Sequence, residues 1–208
     1  VSGRRVFDFE SAIVRTPAPA VIHGLRAGGE APSHEGVLAE HRAYVAALEA
    51  AGLAVEVLAP LADFPDSVFV EDPAFVLPEG AILLRPGAPS RMGEADEIAP
   101  ALRRRFERVL ALDEGHADGG DILILPDEIL IGLSARTDLL GAMRVCALLR
   151  ELGRAAQVVQ TPAGILHLKS ACALLDEQIL VATPALAPAF ADYEVIVTPA
   201  GEEGAANL

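Results

Sequence analysis

The 208 residues include no tryptophan, only two cysteines and two methionines; aromatic side chains make up 4% of a chain that is 52% hydrophobic. A core must therefore be built from alanine, valine, leucine and isoleucine, a mixture that favours β-strands interleaved with alanine-rich helices. Basic residues are scarce as well: 16 Lys and Arg against 30 Asp and Glu leave a net charge of −14. Such a surface repels a phosphate backbone, so a nucleic-acid partner is not expected. No apolar run approaches the roughly 20 residues of a membrane span, and the opening VSGRR lacks an apolar signal core, which predicts a soluble, cytoplasmic protein with no membrane partner. The two cysteines, Cys146 and Cys172, stand in no metal-ligand or CxxC spacing, so neither a zinc site nor a disulfide framework is specified. Both read as small buried hydrophobes rather than as nucleophiles.

What the chain does have is a repeat. Aligned on the leucine that opens a tight turn, VEDPAFVLPEGAILLRP, GGDILILPDEILIGLS and HLKSACALLDEQILVAT turn after Leu77, Leu125 and Leu174, spaced by 48 and 49 residues. Each has an apolar strand, an acidic turn and a second apolar strand, which predicts three β-hairpins. A helix or turn and then a short strand follow each one. Ile98, Leu102 and Phe106 mark an amphipathic helix after the first, with Pro100 in its first turn. Thr137 is placed to cap a helix presenting Leu139, Leu140, Met143, Ala147 and Leu148 after the second, ending at Gly153. Two prolines limit the third to a short helix. Closing strands are expected at 55–60, 108–112, 157–162 and 195–200, and at the start a strand at SAIVRTP and a helix from cap Ser33 to Gly52. Units of about 48 residues that cannot bury their apolar faces alone predict modules around an axis, within one domain spanning residues 1–208.

Repeat registration also places charge. Seven residues before each turn leucine stand Val70, Asp118 and His167; five before stand Asp72, Gly120 and Lys169. In a pseudosymmetric ring these strand entries converge, so that Glu71, Asp72, Asp118, Asp121 and His167 meet in a central cleft. Several carboxylates and one imidazole make a cation pocket with a group that exchanges protons near neutrality, and a guanidinium, with its planar N–H fork, is the natural occupant. Singly, each residue has a plainer reading: a solvated strand end, a satisfied core histidine, or a turn at DGGD. Arg85, Arg91 and Arg136 follow the second hairpin strands, where a surface role is the default. Comparable placement of Arg91 and Arg136 also suits the carboxylate of an amino acid whose guanidinium lies in the cleft.

FPDSVFVEDPAFV, LLRPGAPSR, HADGGDILIL, IGLSART and ILHLKSACALL occur in the order seen in the dimethylarginine dimethylaminohydrolases, of the amidino-group-modifying (pentein) superfamily, which the chain resembles from about residue 10 onward. The resemblance implies an α/β propeller of five modules around a pseudo-fivefold axis. It also implies hydrolysis of Nω-methylated arginine to citrulline and an amine through a cysteine thiolate, with no cofactor or metal, in arginine metabolism. His167 becomes the general acid/base and Asp118 the carboxylate that orients it. Asp118 also orients the reacting guanidinium, which Asp72 grips, with Asp66 and Glu71 helping to hold the amino acid and the substrate loop and Asp121 counted among the substrate-binding residues; Arg91 and Arg136 bind the α-carboxylate, and Leu25 belongs to a lid. Arginine deiminase or amidinotransferase chemistry, or cationic amino-acid binding without catalysis, are the alternatives. A homodimer is compatible with these residues, which fix no oligomeric state. The family's nucleophile matches neither Cys146 nor Cys172, and on the derived spacing Asn207 and Leu208 open a fourth hairpin. A further module of about 45 residues is therefore expected beyond them, carrying that cysteine; without it the chain is expected to be inactive.

Overall fold

The computed structural model describes residues 8–26 and 28–207. The opening VSGRR and Leu208, part of the expected fourth hairpin, lie outside the described residues. Two compact units emerge, one of Asp8–Val70 with Pro89–Glu94, the other of 71–88 with 95–207.

The first unit holds β1 (Ser11–Arg15), α1 (His34–Ala50) and β2 (Ala54–Leu58). β1 and β2 pair in parallel, Ser11 opposite Ala54 and Arg15 opposite Leu58, the outcome a helical crossover dictates. Ser33 caps α1 as its position predicts: its side chain accepts the Gly36 N–H at 3.0 Å, satisfying one of the orphan donors of the first turn. Gly52, just past the end, takes φ 92°, a conformation that glycine adopts without steric cost.

The second unit repeats one pattern three times: an antiparallel hairpin, a crossover, and a third strand parallel to the second. β3 (Ala74–Leu77), β4 (Gly80–Leu83) and β5 (Val109–Ala111) form the first sheet, β6 (Ile122–Ile124), β7 (Ile129–Leu133) and β8 (Ala156–Gln160) the second. β9 (Cys172–Leu174), β10 (Ile179–Ala182) and β11 (Glu194–Val197) form the third. The first crossover runs through α2 (Glu94–Arg105), whose initial residue belongs to the other unit, the second through α3 (Leu139–Glu151), and the third through a short 3-10 turn, Ala187–Phe190. The three hairpins turn at the predicted leucines, with Leu77 paired to Gly80 and Leu125 N–H bonded to the Glu128 carbonyl.

Three local expectations are corrected. α2 begins at Glu94, so Pro100 lies inside it rather than in its first turn; the buried Arg91–Glu94 pair, at 2.6 Å, fixes this early start. α3 is capped by Asp138, whose carboxylate accepts the Gly141 N–H at 2.7 Å, because the Thr137 hydroxyl is used elsewhere. The buried stripe of α3 is Gly141, Ala142, Val145 and Leu149, leaving Leu139, Leu140 and Met143 more than half-way or about half-way exposed. Small residues win that face because a Cβ at Gly141 would collide with the His116 carbonyl.

Ile82, Ile131, Val145 and Leu149 are fully buried in one core cluster of this unit, and Leu168, Cys172, Leu180 and Ala182 in another. Each large aliphatic side chain withdrawn in this way contributes about 1.5–3 kcal/mol. Among the described residues no helix is long and apolar enough to cross a membrane.

Candidate active site

The second unit brings together Asp118 and His167, which share a registration, and Asp72, which stands two residues further along its own repeat. Asp72, from the segment entering β3, Asp118, just before the 3-10 turn Gly119–Asp121, and His167, just before the 3-10 turn Leu168–Ser170, each offer a polar atom within 4.8 Å of the others. His167 Nε2 lies 3.1 Å from Asp118 Oδ2, with 12% of the His167 side chain exposed and none of Asp118. The other Asp118 oxygen accepts the Gly87 N–H at 2.7 Å. Asp72 Oδ1 accepts the Gly120 N–H at 3.0 Å. A Cβ at Gly120 would come within 2.8 Å of the His167 ring and 3.1 Å of Asp72, so a glycine is what lets the imidazole and the carboxylate share this floor.

The electrostatics follow from burial. Desolvation is the largest influence on His167 and pulls its pKa down, yet the Asp118 hydrogen bond and the charges of Asp72, Asp121 and Asp118 together hold it above the ordinary histidine value. A site with this balance favours a protonated imidazole and a bound cation. Two carboxylates and an imidazole could also ligate a metal ion, but Asp118 already has both oxygens engaged by protein donors.

Around this cluster the other predicted residues take distinct places. Arg136 Nη1 stands 3.9 Å from Asp118 Oδ2 with 19% of its side chain exposed. Glu71 is exposed and accepts a bond from Lys169 Nζ at 2.9 Å. Asp121 is fully buried, and its oxygens accept from Ser134 Oγ at 2.6 Å, Thr137 Oγ1 at 2.7 Å and Leu168 N at 2.8 Å. Burial, the largest influence, raises its pKa, and those three bonds counter it. Arg85 donates to the Asp113 carbonyl at 2.9 Å. Ser134 and Thr137 were not singled out for this role; the signal available was the pair of short hydroxyls spaced three apart directly after β7.

The first unit holds the remaining three. Leu25, half exposed, donates its N–H to Asp66 Oδ1 at 2.9 Å, and both line a cavity of about 480 Å³ walled by Val14, Val37, Tyr44 and Phe69. Arg91 is 3% exposed; its Nε and Nη2 bond to Glu94, and Nη2 also reaches the carbonyls of Asp66 at 3.2 Å and Phe69 at 2.9 Å.

The family model described as arginine deiminase matches residues 54–206, which places this α/β fold in the arginine deiminase class. An N(G),N(G)-dimethylarginine dimethylaminohydrolase of Pseudomonas aeruginosa is 38% identical over 207 residues, covering 96% of this chain and 80% of the relative. The enzyme of that name from Streptomyces coelicolor is 35% identical over 209 residues, covering 96% and 78%. A solved structure of the Pseudomonas aeruginosa enzyme, a cysteine-to-serine mutant complexed with citrulline, superposes with a TM-score of 0.93 at 37% identity, covering 97% of this chain and 80% of that one. The chain belongs to the dimethylarginine dimethylaminohydrolase family, as its motifs predict.

Proposed function

We propose that this chain serves the hydrolysis of Nω-methylated arginine, asymmetric dimethylarginine or the monomethyl form, to citrulline and dimethylamine or methylamine, in the cytoplasm. The observation that carries this reading is the gathering of Asp72, Asp118 and His167 within 4.8 Å from positions far apart in sequence. A guanidinium is a planar cation whose N–H groups pair with carboxylates. Asp72 takes that cation, Asp118 holds and charges His167, and partly exposed Arg136 takes the α-carboxylate, with Glu71 at the amino group.

The chemistry starts with a thiolate bonding to the guanidinium carbon. The bond from that carbon to the methylated nitrogen then breaks as His167 gives its proton to the leaving amine. Water adds to the same carbon, His167 accepts one of its protons and solvent the other, and the carbon–sulfur bond breaks to release citrulline and restore the thiolate. A nucleophilic thiol needs a depressed pKa. Cys172 is fully buried, 3.4 Å from the Leu168 carbonyl, and burial pushes it up to about 12; burial raises Cys146 as well. Neither suits the role, and we assign the thiol to a cysteine outside these 208 residues. The description of the matching family model favours a second reading, arginine deimination.

Citrulline release from asymmetric dimethylarginine and from arginine, measured on the natural protein and on His167→Ala, decides between these readings. Preferred turnover of the methylated substrate, abolished by His167→Ala, is expected. Preference for arginine selects deimination, and binding heat without citrulline from either would leave only a cationic amino-acid pocket.

A further inference from the structure

The Asp118–His167 bond joins two chain segments 49 residues apart, and a second path links the same segments beneath it. Asp118 donates its backbone N–H to Thr137 Oγ1 at 3.1 Å. Thr137 Oγ1 donates to Asp121 Oδ2 at 2.7 Å. The other Asp121 oxygen accepts the N–H of Leu168 at 2.8 Å, the residue next to His167. We propose that Thr137 and Asp121 are positioning residues, a hydroxyl–carboxylate brace that sets the distance between the backbones carrying Asp118 and His167. Asp121 then acts on the reaction through the scaffold and makes no contact with substrate.

Three features support this assignment. Asp121 is fully buried with both oxygens engaged by protein donors, and a buried carboxylate is costly unless its lone pairs are met in this way. Ser134, which also donates to Asp121, accepts the N–H groups of Arg136 and Thr137 at 3.0 and 3.2 Å, so the same brace fixes the backbone that presents Arg136. The space is reserved by glycine: a Cβ at Gly132 would collide with Thr161 Oγ1 and come within 2.8 Å of Leu168 Cβ. Thr137 is 1% exposed, which leaves its single hydroxyl hydrogen committed to Asp121 and a lone pair to Asp118.

The inference rests on the catalytic reading for its relevance to turnover, but its test needs no substrate. The ring C–H resonances of His167 are titrated by NMR in the natural protein and in its Thr137→Val, Thr137→Ser, Ser134→Ala and Asp118→Asn variants. Asp118→Asn removes the direct partner and should lower the His167 midpoint. Thr137→Val keeps the shape but loses both bonds, and should lower it in the same direction; Thr137→Ser should restore it. Should Thr137→Val not fold, Ser134→Ala, which removes one of the three donors to Asp121, should give a smaller downward shift. An unchanged midpoint in Thr137→Val or its folded substitute, while Asp118→Asn moves, overturns the brace and leaves the proposed activity standing. An equal shift in Thr137→Ser also overturns it, since the hydroxyl is retained. A midpoint that Asp118→Asn does not move overturns the Asp118–His167 pair, and the proposed mechanism with it.

Discussion

Gly120→Ala isolates the packing beneath the imidazole. The added methyl would lie 2.8 Å from His167 Cγ and Nδ1 and 3.1 Å from Asp72 Oδ1, whereas unstrained carbon contacts sit at about 3.5–4.0 Å. One near atom is Cγ, which a χ2 turn leaves in place, and a χ1 change would swing the whole ring away from Asp118. The ring or the backbone must withdraw by several tenths of an ångström. The Asp118 contact, at 3.1 Å, is already near the long end of the hydrogen-bond range, and withdrawal away from Asp118 weakens or breaks it. Overpacking of this kind costs roughly 1–3 kcal/mol, while replacing glycine by alanine at an ordinary φ returns about 0.4–1 kcal/mol through the unfolded chain. The expected net loss is about 1–2 kcal/mol, a fall of about 0.5–1 M in urea midpoint. Gly204→Ala is the control: nothing lies within 4 Å of its added Cβ, so it should gain the entropic term alone. Equilibrium urea unfolding followed by circular dichroism, with the His167 titration read in parallel, tests the argument. If Gly120→Ala matches Gly204→Ala in stability and leaves the His167 midpoint in place, the steric account of DGGD is wrong.

Other outcomes follow from the same structure. His167 has a folded pKa raised above its unfolded value near 6.5, so its contribution is complete below about pH 6.5 and is lost as pH rises through the folded value; urea stability should fall across that window, and a profile matching that of His167→Gln would contradict it. Asp138→Ala removes acceptors for the Gly141 N–H at 2.7 Å and the His116 N–H at 3.1 Å, and should cost about 1–2 kcal/mol in thermal or urea unfolding. Leu149→Ala opens a cavity at a fully buried position of the main core and should cost about 2–5 kcal/mol. An unfolding midpoint within error of the parent chain would show that α3 packs otherwise.

Much of this architecture is legible because its determinants are local. Ser33 with Gly52, and the acidic turns after Leu77, Leu125 and Leu174, announce themselves within a few residues, and the regular spacing of those turns brought Asp118 and His167 to one registration, with Asp72 two residues further along its own repeat. Family motifs then supplied the chemistry. What stayed illegible depends on partners remote in sequence. Thr137 and Asp138 are both good capping residues by type and spacing; which one caps is decided by Asp121, which takes the Thr137 hydroxyl. Leu139, Leu140 and Met143 look like a buried face, but the stripe facing the sheet is set by how closely Gly141 lets the helix approach. Asp121 reads as a ligand group like its neighbour Asp118, and only its three donors distinguish it.

The burial of Cys172 bears on how the protein can be instrumented. A thiol held near pKa 12 and shut from solvent stays silent toward maleimide and disulfide reagents while the fold lasts, and half-buried Cys146 is shifted the same way. Within these 208 residues the background toward thiol reagents is therefore nearly dark, and the slow appearance of Cys172 reactivity becomes a clock for unfolding of the third sheet.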